Sequence, residues 1–271
     1  MNRANQHAII TGGSSGIGRA IALQLAQQGA HVSIIARSPD KLHQAQTEIE
    51  QVRQRSDQKI LALSADVGDR SQAEQAIQAA IEASGPPHLL ITSAGIAYPN
   101  YFQDIPLEIF EQTMAVNYFG TLYCIRAALP SMEQARSGQI GLISSGAGLI
   151  GLYGYSAYCP SKFAVRGLAE SLRAELKPIG IQVSIAYPPD TDTPQLIEEN
   201  KTKPPATKEM TATANQWKAD DVARVILTGI EKGRFEISPG LEIGILTRLH
   251  SVMAPILNRY FDQIVAKHPR P

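Results

Sequence analysis

The chain has 271 residues, of which 44% are hydrophobic, enough to bury the core of one large domain. Its 25 basic and 25 acidic side chains give zero formal net charge, which argues against a nucleic-acid-binding surface. Cys124 and Cys159 lack metal-ligand spacing, so we expect reduced thiols and no bound metal ion. No signal peptide is visible, and no stretch stays apolar for the roughly 18 residues that a transmembrane helix needs. We therefore expect a cytoplasmic protein.

Short apolar runs alternate with helical patterns along most of the chain. Strands are predicted at 7–11, 31–36, 59–65, 88–93, 139–143 and 181–187, with helices between them. This alternation indicates right-handed βαβ crossovers, and hence an α/β fold with a doubly wound, Rossmann-like parallel sheet. We predict a single catalytic domain over residues 1–240, with a substrate loop at about 188–216 and a C-terminal amphipathic helical tail over 241–271. Ligands bind such sheets at the carboxyl ends of the strands.

A glycine-rich loop, Gly12-Gly13-Ser14-Ser15-Gly16-Ile17-Gly18, follows the first strand and opens a helix. Its backbone N–H groups and the positive end of the helix suit a pyrophosphate. A turn of purely structural use is one alternative. A second is the G-x-S-x-G nucleophile elbow of a hydrolase, which Gly12 to Gly16 also match. The elbow is disfavoured because none of the six histidines follows a late strand in a loop suited to a catalytic triad.

Arg37 comes directly after the second strand, at the position that distinguishes two dinucleotide cofactors. An acid there would bind a ribose 2′-hydroxyl, whereas an arginine accommodates a 2′-phosphate. Together with Ser38 and Lys41, Arg37 favours NADP(H), although an exposed loop arginine is the plain alternative. Asp66 and Val67 follow the third strand and could hold the adenine, or Asp66 could cap the next helix.

Tyr158 and Lys162 lie four residues apart, which places them one turn apart on the same face of a helix. An ammonium at that distance would lower the pKa of the phenol from about 10 toward neutrality. Ser145 closes the preceding strand, so its hydroxyl can face the phenol. The Tyr-x-x-x-Lys pattern alone is weak, since a surface pair on an ordinary helix gives the same pattern.

The combination of T-G-x-x-x-G-x-G, Asn117, Ser145 and Tyr158-x-x-x-Lys162 resembles the short-chain dehydrogenase/reductase family over about residues 8–194. The resemblance implies that Tyr158 is the acid–base group and that Ser145 polarises the substrate carbonyl. It implies that Lys162 binds the nicotinamide ribose and lowers the pKa of Tyr158, and that Asn117 holds a water of the proton relay. The cofactor contacts expected on this basis are Gly12, Ser14, Ser15, Gly16, Ile17, Gly18, Arg37, Ser38, Lys41, Asp66, Val67, Ala94, Gly95, Tyr158, Lys162, Pro188 and Thr191.

Two positions depart from the family pattern. Ser93-Ala94-Gly95 replaces the usual N-A-G after the fourth strand, which removes a side-chain amide and keeps the backbone turn. Pro160 sits between the tyrosine and the lysine. Because proline is tolerated only in the first turn of a helix, we expect this helix to start between Tyr155 and Tyr158.

Segments 161–170, 187–194 and 198–204 are similar to a subfamily, the 3-ketodihydrosphingosine reductases. That similarity implies reduction of a long-chain 3-keto sphingoid base with NADPH, in sphingolipid synthesis. The alternatives are another carbonyl substrate (a 3-oxoacyl thioester, a steroid or a small ketone) and a non-catalytic NADP-binding sensor. The sensor is disfavoured because the whole Asn–Ser–Tyr–Lys set is present.

The tail from 244 to 267 has apolar residues at three- and four-residue steps, which predicts an amphipathic helix that Pro255 kinks or breaks. The predicted apolar stripe consists of Ile245, Leu249, Val252, Met253, Ile256, Leu257, Tyr260 and Ile264. We expect it to pack on its own domain or on a partner subunit in a homo-oligomer. The alternative is peripheral contact with a membrane through 244–267, where a long-chain substrate would reside.

Overall fold

The computed structural model describes residues 3–212 and 216–270. Its main strands are β1 (His7–Thr11), β2 (His31–Ala36), β3 (Ile60–Ser64), β4 (Leu89–Thr92), β5 (Gly138–Ile143) and β6 (Ile181–Ala186). They form one parallel sheet with a short last strand, β9 (Glu236–Ile237), in the order β3-β2-β1-β4-β5-β6-β9. A separate parallel pair joins β7 (Thr191–Asp192) to β8 (Trp217–Lys218). The strand order reverses at β1 and β4, where doubly wound sheets place their ligands.

Helices cover both faces of the sheet. They are α1 (Gly16–Gln27), α2 (Pro39–Gln51), α3 (Arg70–Ser84), α4 (Leu107–Met114), α5 (Gly120–Ala135), α6 (Tyr158–Leu176), α7 (Pro194–Thr202), α8 (Pro205–Ala212), α9 (Ala219–Glu231) and α10 (Leu241–Lys267). The two largest apolar clusters lie between these helices and the sheet. One packs α3, α5 and α6 on the sheet through residues such as Ile77, Ile125 and Val165, all at most 1% exposed. The other packs α1, α2 and α9 on the opposite face. The predicted doubly wound α/β fold is confirmed.

One helical rod runs from α4 into α5 through a π-helical turn at Ala115–Phe119. Asn117 lies in the middle of this turn and is 1% exposed. Such turns are rare and occur often at functional sites, because the extra residue re-aims the side chains of one turn. The sequence predicts helical material here, and the π-helical turn is an addition that no periodicity signals.

The region expected to form the substrate loop contains β7, α7 and α8. Residues 213–215 of that predicted loop lie outside the described part of the chain. The N-cap of α7 is Thr193, whose Oγ1 accepts from the backbone N–H of Leu196 at 3.3 Å. α7 therefore starts directly after β7, beside the carboxyl ends of the sheet.

Helix α10 continues through Pro255, so the break expected there does not occur. Proline removes the hydrogen bond to the carbonyl four residues earlier, and both Ser251 and Pro255 are exposed, so water can reach that carbonyl. The inner side of α10 packs on the protein, with Ile264 1% exposed. The outer side carries an exposed line of apolar residues, here called the outer stripe: Leu241, Ile245, Leu249, Val252, Ile256 and Tyr260. Among the described helices, none is both long and apolar enough to cross a bilayer.

Candidate active site

A crevice opens at the carboxyl ends of the central strands. The predicted residues that line it are Gly12, Ser15, Gly16, Ile17, Gly18, Ala94, Gly95, Ser145, Tyr158, Lys162, Pro188 and Thr191. An adjoining crevice shares Gly12, Ser15, Ala94 and Gly95 with the first and adds Ser14, Arg37, Ser38, Lys41, Asp66 and Val67. The structure thus brings together every predicted site residue except Asn117, which is buried and lines neither crevice. No histidine among the described residues lines either crevice, so the hydrolase alternative lacks the histidine of a catalytic triad there.

The glycine loop is shaped for close approach of its backbone to a neighbour. Gly12 has φ +69°, and a Cβ placed there would lie 2.8 Å from the backbone nitrogen of Ala94. Ser15, the N-cap of α1, makes no side-chain capping bond, so the first N–H groups of this helix remain available. The loop and the helix start fit an anionic diphosphate.

Arg37 and Asp66 face each other across the second crevice, with Arg37 Nη1 3.9 Å from Asp66 Oδ2. Asp66 Oδ1 accepts from the backbone N–H of Gly68 at 2.9 Å. The helix-capping role left open for Asp66 belongs to Asp69, whose carboxylate accepts from Gln72 N at 2.9 Å at the start of α3. Asp66 is therefore a crevice residue.

Helix α6 begins at Tyr158, within the range that Pro160 predicts. This start puts both Tyr158 and Lys162 in the first turns, against the end of β5. Lys162 Nζ donates to the Ile143 carbonyl at 3.0 Å and lies 5.5 Å from the centroid of the Tyr158 ring. Burial lowers the pKa of Lys162 to about 8, and the charge of Glu199 opposes that shift.

The phenol of Tyr158 differs from the sequence-based expectation. Burial, followed by the negative charge of Glu199, raises its pKa, while the hydrogen bond with Ser145 lowers it in part. Removing water penalises the phenolate strongly, and the Lys162 ammonium is turned to a strand carbonyl. The expected lowering of the pKa by Lys162 is not what this geometry gives. The phenol instead keeps its proton at neutral pH.

Asn117 forms hydrogen bonds both to the loop after β4 and to α6. Its Oδ1 accepts from Ile96 N at 2.8 Å, and its Nδ2 donates to Ser161 Oγ at 2.9 Å. Ser161 is next to Lys162 on α6, and Ile96 follows Gly95 in the loop after β4. A Cβ added at Gly95 would lie 3.3 Å from Asn117 Oδ1 and 3.5 Å from Lys162 Nζ. Asn117 thus holds the loop after β4 against the start of α6.

Known proteins that resemble this chain share its fold and are named as dehydrogenases or reductases. A model of the family described as short chain dehydrogenase matches residues 6–204, well over half of the chain. The chain belongs to the short-chain dehydrogenase family. Members of this family include solved structures with the same fold. A short chain dehydrogenase/reductase from Burkholderia phymatum, in complex with NAD, superposes with a TM-score of 0.83 at 23% identity, covering 95% of this chain and 96% of that one.

Levodione reductase, another solved neighbour, gives a TM-score of 0.79 at 24% identity and covers 87% of this chain and 96% of its own. Curated relatives are closer in sequence. The 3-ketodihydrosphingosine reductase of Bos taurus is 43% identical over 92% of this chain and 76% of its own length. That of Dictyostelium discoideum is 37% identical over 96% of this chain and 82% of its own.

Sequence reasoning missed one group of this short-chain dehydrogenase site. Tyr155 donates its hydroxyl to Glu199 Oε2 at 2.6 Å, and both line the main crevice. Lys203 is buried beside them, with Nζ 3.8 Å from Asp190 Oδ2. Tyr155 is three residues before Tyr158, in the loop that leads into α6, and 198–204 was singled out only by its resemblance to a subfamily. Those two signals could have marked the group.

Proposed function

We propose that this protein is an NADPH-dependent reductase that converts 3-ketodihydrosphingosine to dihydrosphingosine in sphingolipid synthesis. The observation that carries the proposal is the pair of half-buried Tyr158 and buried Lys162 beside Ser145, in a crevice at the switch point of the sheet. Curated relatives that bear the reductase name, at 43% and 37% identity, support the substrate.

A nicotinamide cofactor fits the residues of the two crevices. The glycine loop and the start of α1 would hold its diphosphate, and Lys162 would hold the ribose next to the nicotinamide. Arg37, Ser38 and Lys41 surround the end of the second crevice, where a 2′-phosphate would gain two cations and a hydroxyl. When bound, the nicotinamide supplies the hydride that reduces the keto carbon. These cations favour NADPH over NADH.

The side chains of the crevice supply the proton and stabilise the charge. The hydroxyls of Ser145 and Tyr158 would donate hydrogen bonds to the ketone oxygen, where negative charge develops. The phenol of Tyr158 is protonated at neutral pH, so it holds a proton to deliver to that oxygen. Lys162, with a pKa of about 8, is mostly an ammonium at pH 7, so it can donate to the hydroxyls of the nicotinamide ribose. We assign Asn117 a positioning role through Ile96 and Ser161.

The decisive experiment is NADPH oxidation by purified protein. We expect turnover of 3-ketodihydrosphingosine and at least about tenfold lower kcat/KM with a short β-ketoester, since each buried methylene adds about 0.8 kcal/mol. Equal kcat/KM for both would favour a general carbonyl reductase. No oxidation of NADPH with any ketone, together with tight NADPH binding, would favour the sensor.

We further propose that the outer stripe of α10 contacts a membrane surface. Val252 and Ile256 are 74% and 70% exposed, which leaves them in water in the isolated chain. A row of exposed apolar side chains along a 27-residue helix suits the headgroup–acyl boundary of a bilayer. A long-chain ketone would be taken from the same bilayer.

Co-sedimentation with anionic liposomes tests this contact. We expect the wild type to bind and a Leu249→Glu/Ile256→Glu variant to lose binding. Ser251→Glu/Asn258→Glu is the matched control, because it adds the same charge at exposed polar positions of the same helix. The contrary outcome is a wild type that does not bind liposomes and a Leu249→Glu/Ile256→Glu variant whose molecular mass in solution differs from that of the wild type. That outcome would make the outer stripe a subunit contact of the expected homo-oligomer.

A further inference from the structure

A buried carboxylate faces the reacting phenol from α7. Glu199 lines the same crevice as Tyr158, and 8% of its surface is exposed. Its Oε2 accepts from the Tyr155 hydroxyl at 2.6 Å, and its Oε1 accepts from Gln195 Nε2 at 2.8 Å. An ionised carboxylate offers about four acceptor positions, so both oxygens keep capacity for a further donor.

Glu199 has no cationic partner in the part of the chain that the structure describes. Within residues 3–212 and 216–270, no lysine, arginine or histidine nitrogen forms an ion pair with its carboxylate at 4.0 Å or less. Two nearby lysines bond elsewhere, since Lys203 pairs with Asp190 and Lys162 donates to Ile143. A buried charge without a counter-charge is unfavourable. Among the described residues, Glu199 therefore lines the crevice as a buried carboxylate that no cation contacts.

That charge lies close to the reacting group. The Tyr155 ring, whose hydroxyl bonds Glu199, has its centroid 5.7 Å from the centroid of the Tyr158 ring. Glu199 is also the largest influence after burial on the pKa of Tyr158, which it raises. At Lys162 the same carboxylate opposes the effect of burial. A cation bound to Glu199 would thus lie next to a ketone bound to the phenol.

We propose that Glu199 binds the protonated amine of an α-amino ketone substrate while the ketone oxygen lies on Ser145 and Tyr158. The inference rests on the proposed function, in which the substrate carries its amine on the carbon bonded to the keto carbon. The ammonium would supply the missing counter-charge through charge-assisted hydrogen bonds. A ketone without the amine leaves Glu199 buried and unpaired, so the site rejects it.

The test compares two substrates, 3-ketodihydrosphingosine and an analogue with hydrogen in place of the amino group. Glu199→Gln keeps the side-chain size and an acceptor for Tyr155 but removes the charge. We expect kcat/KM to fall about 30-fold on the amino ketone and less than about threefold on the analogue. Glu198→Gln is the matched control, because Glu198 is 68% exposed and pairs with Lys201 at 2.6 Å. It should leave both values unchanged.

The ratio of the two kcat/KM values separates recognition from other effects. Since Glu199 also acts on Tyr158, its loss would change the rates of both substrates by one common factor, which leaves the ratio unmoved. If the wild type reduces 3-ketodihydrosphingosine but Glu199→Gln has the same ratio of kcat/KM values as the wild type, this inference alone is overturned. A wild type that reduces neither compound overturns the proposed function and this inference with it.

A second measurement uses only the wild-type protein, and so does not depend on the folding of a variant. Dihydrosphingosine and its N-acetylated form are compared as inhibitors of NADPH oxidation. Acetylation makes the nitrogen neutral, and we expect it to raise the inhibition constant at least about tenfold. Equal inhibition constants would overturn the assignment of Glu199.

Discussion

Tyr158 and Lys162 share one turn of α6 and differ in what each is bonded to. The phenol faces Ser145, whereas the ammonium holds the end of β5 through Ile143. Replacing Tyr158 with Phe removes a proton and little packing, so we expect turnover to be lost and NADPH binding to remain nearly intact. Lys162→Ala should lose both, because it also opens the strand–helix contact. Steady-state kinetics and fluorescence titration of NADPH measure the two effects. A Tyr158→Phe enzyme that kept more than about a tenth of kcat would contradict the general-acid assignment.

Arg37 carries the preference between cofactors. Its guanidinium is half exposed and 3.9 Å from Asp66, so it is free to turn to a phosphate. Arg37→Asp replaces a charge-assisted contact with repulsion, and we expect the KM for NADPH to rise by about two orders of magnitude while that for NADH changes little. Steady-state kinetics with both cofactors give the ratio of the KM for NADPH to the KM for NADH. Arg53→Asp, on an exposed residue away from both crevices, is the matched control. An unchanged ratio would remove Arg37 from the cofactor site.

Residues of the site were predictable where a motif and a strand end coincide. The glycine loop, Ser145, Tyr158 and Lys162 satisfy both conditions, and the structure brings them together. Glu199 lies in segment 198–204, which resembles a subfamily, but it is at no strand end of the main sheet, and its place depends on how α7 lies at the crevice. The pKa of Tyr158 was also beyond the sequence, since it is set by burial, which no local pattern reveals.

At the scale of elements, the turn between β1 and α1 depends on a backbone that other residues adopt poorly. Gly12→Ala would add a Cβ 2.8 Å from Ala94 N at a φ of +69°. We expect a loss of about 1–3 kcal/mol in the free energy of unfolding and weakened NADPH binding. Urea denaturation and cofactor titration measure both. Gly151→Ala serves as control, because a Cβ there meets nothing within 4 Å. Equal free energies of unfolding for the two variants would show that the loop accommodates a Cβ at position 12 without strain, contrary to this prediction.

Elements were predictable in proportion to their length. Six strands of four to six residues stand where apolar runs predict them, whereas β9 has only two residues and shows no pattern. The break allowed for at Pro255 does not occur, because a proline on an exposed helix side loses a hydrogen bond that water replaces. The outer stripe and the buried side of α10 both contribute to the predicted periodicity, so the sequence could not separate them.

For the whole molecule, acid stability depends in part on His7. Its Nδ1 faces the Gly85 carbonyl at 2.7 Å and its Nε2 the Ser33 hydroxyl at 2.8 Å, in the buried start of β1. Burial, above all, lowers the pKa of His7 from 6.5 to about 4. Between those values the unfolded chain binds more protons than the native one, so stability rises with pH and is lost as pH falls from about 6.5 to 4. The loss reaches about 3 kcal/mol at most.

Urea denaturation at pH 7 and pH 4.5 measures this dependence. The His7→Gln variant should be less stable at pH 7 and show a flatter change between the two pH values. His43→Gln is the matched control, because His43 is exposed on α2 and should leave the change as in the wild type. An unaltered slope in His7→Gln would assign the acid sensitivity to other groups.

The π-helical turn at Asn117 fixes the rotational phase of everything that follows it. Each residue of an α-helix advances the side chains by about 100°. If all five residues of Ala115–Phe119 were wound as a regular α-helix, α5 would swing round by about that angle, because the π-helical turn uses one more residue per turn. Cys124, Ala128 and Met132, all fully buried, would leave the core. The placement of Asn117 and the packing of α5 therefore depend on the same helical phase. A change that regularises the turn would disturb the core as well as the site.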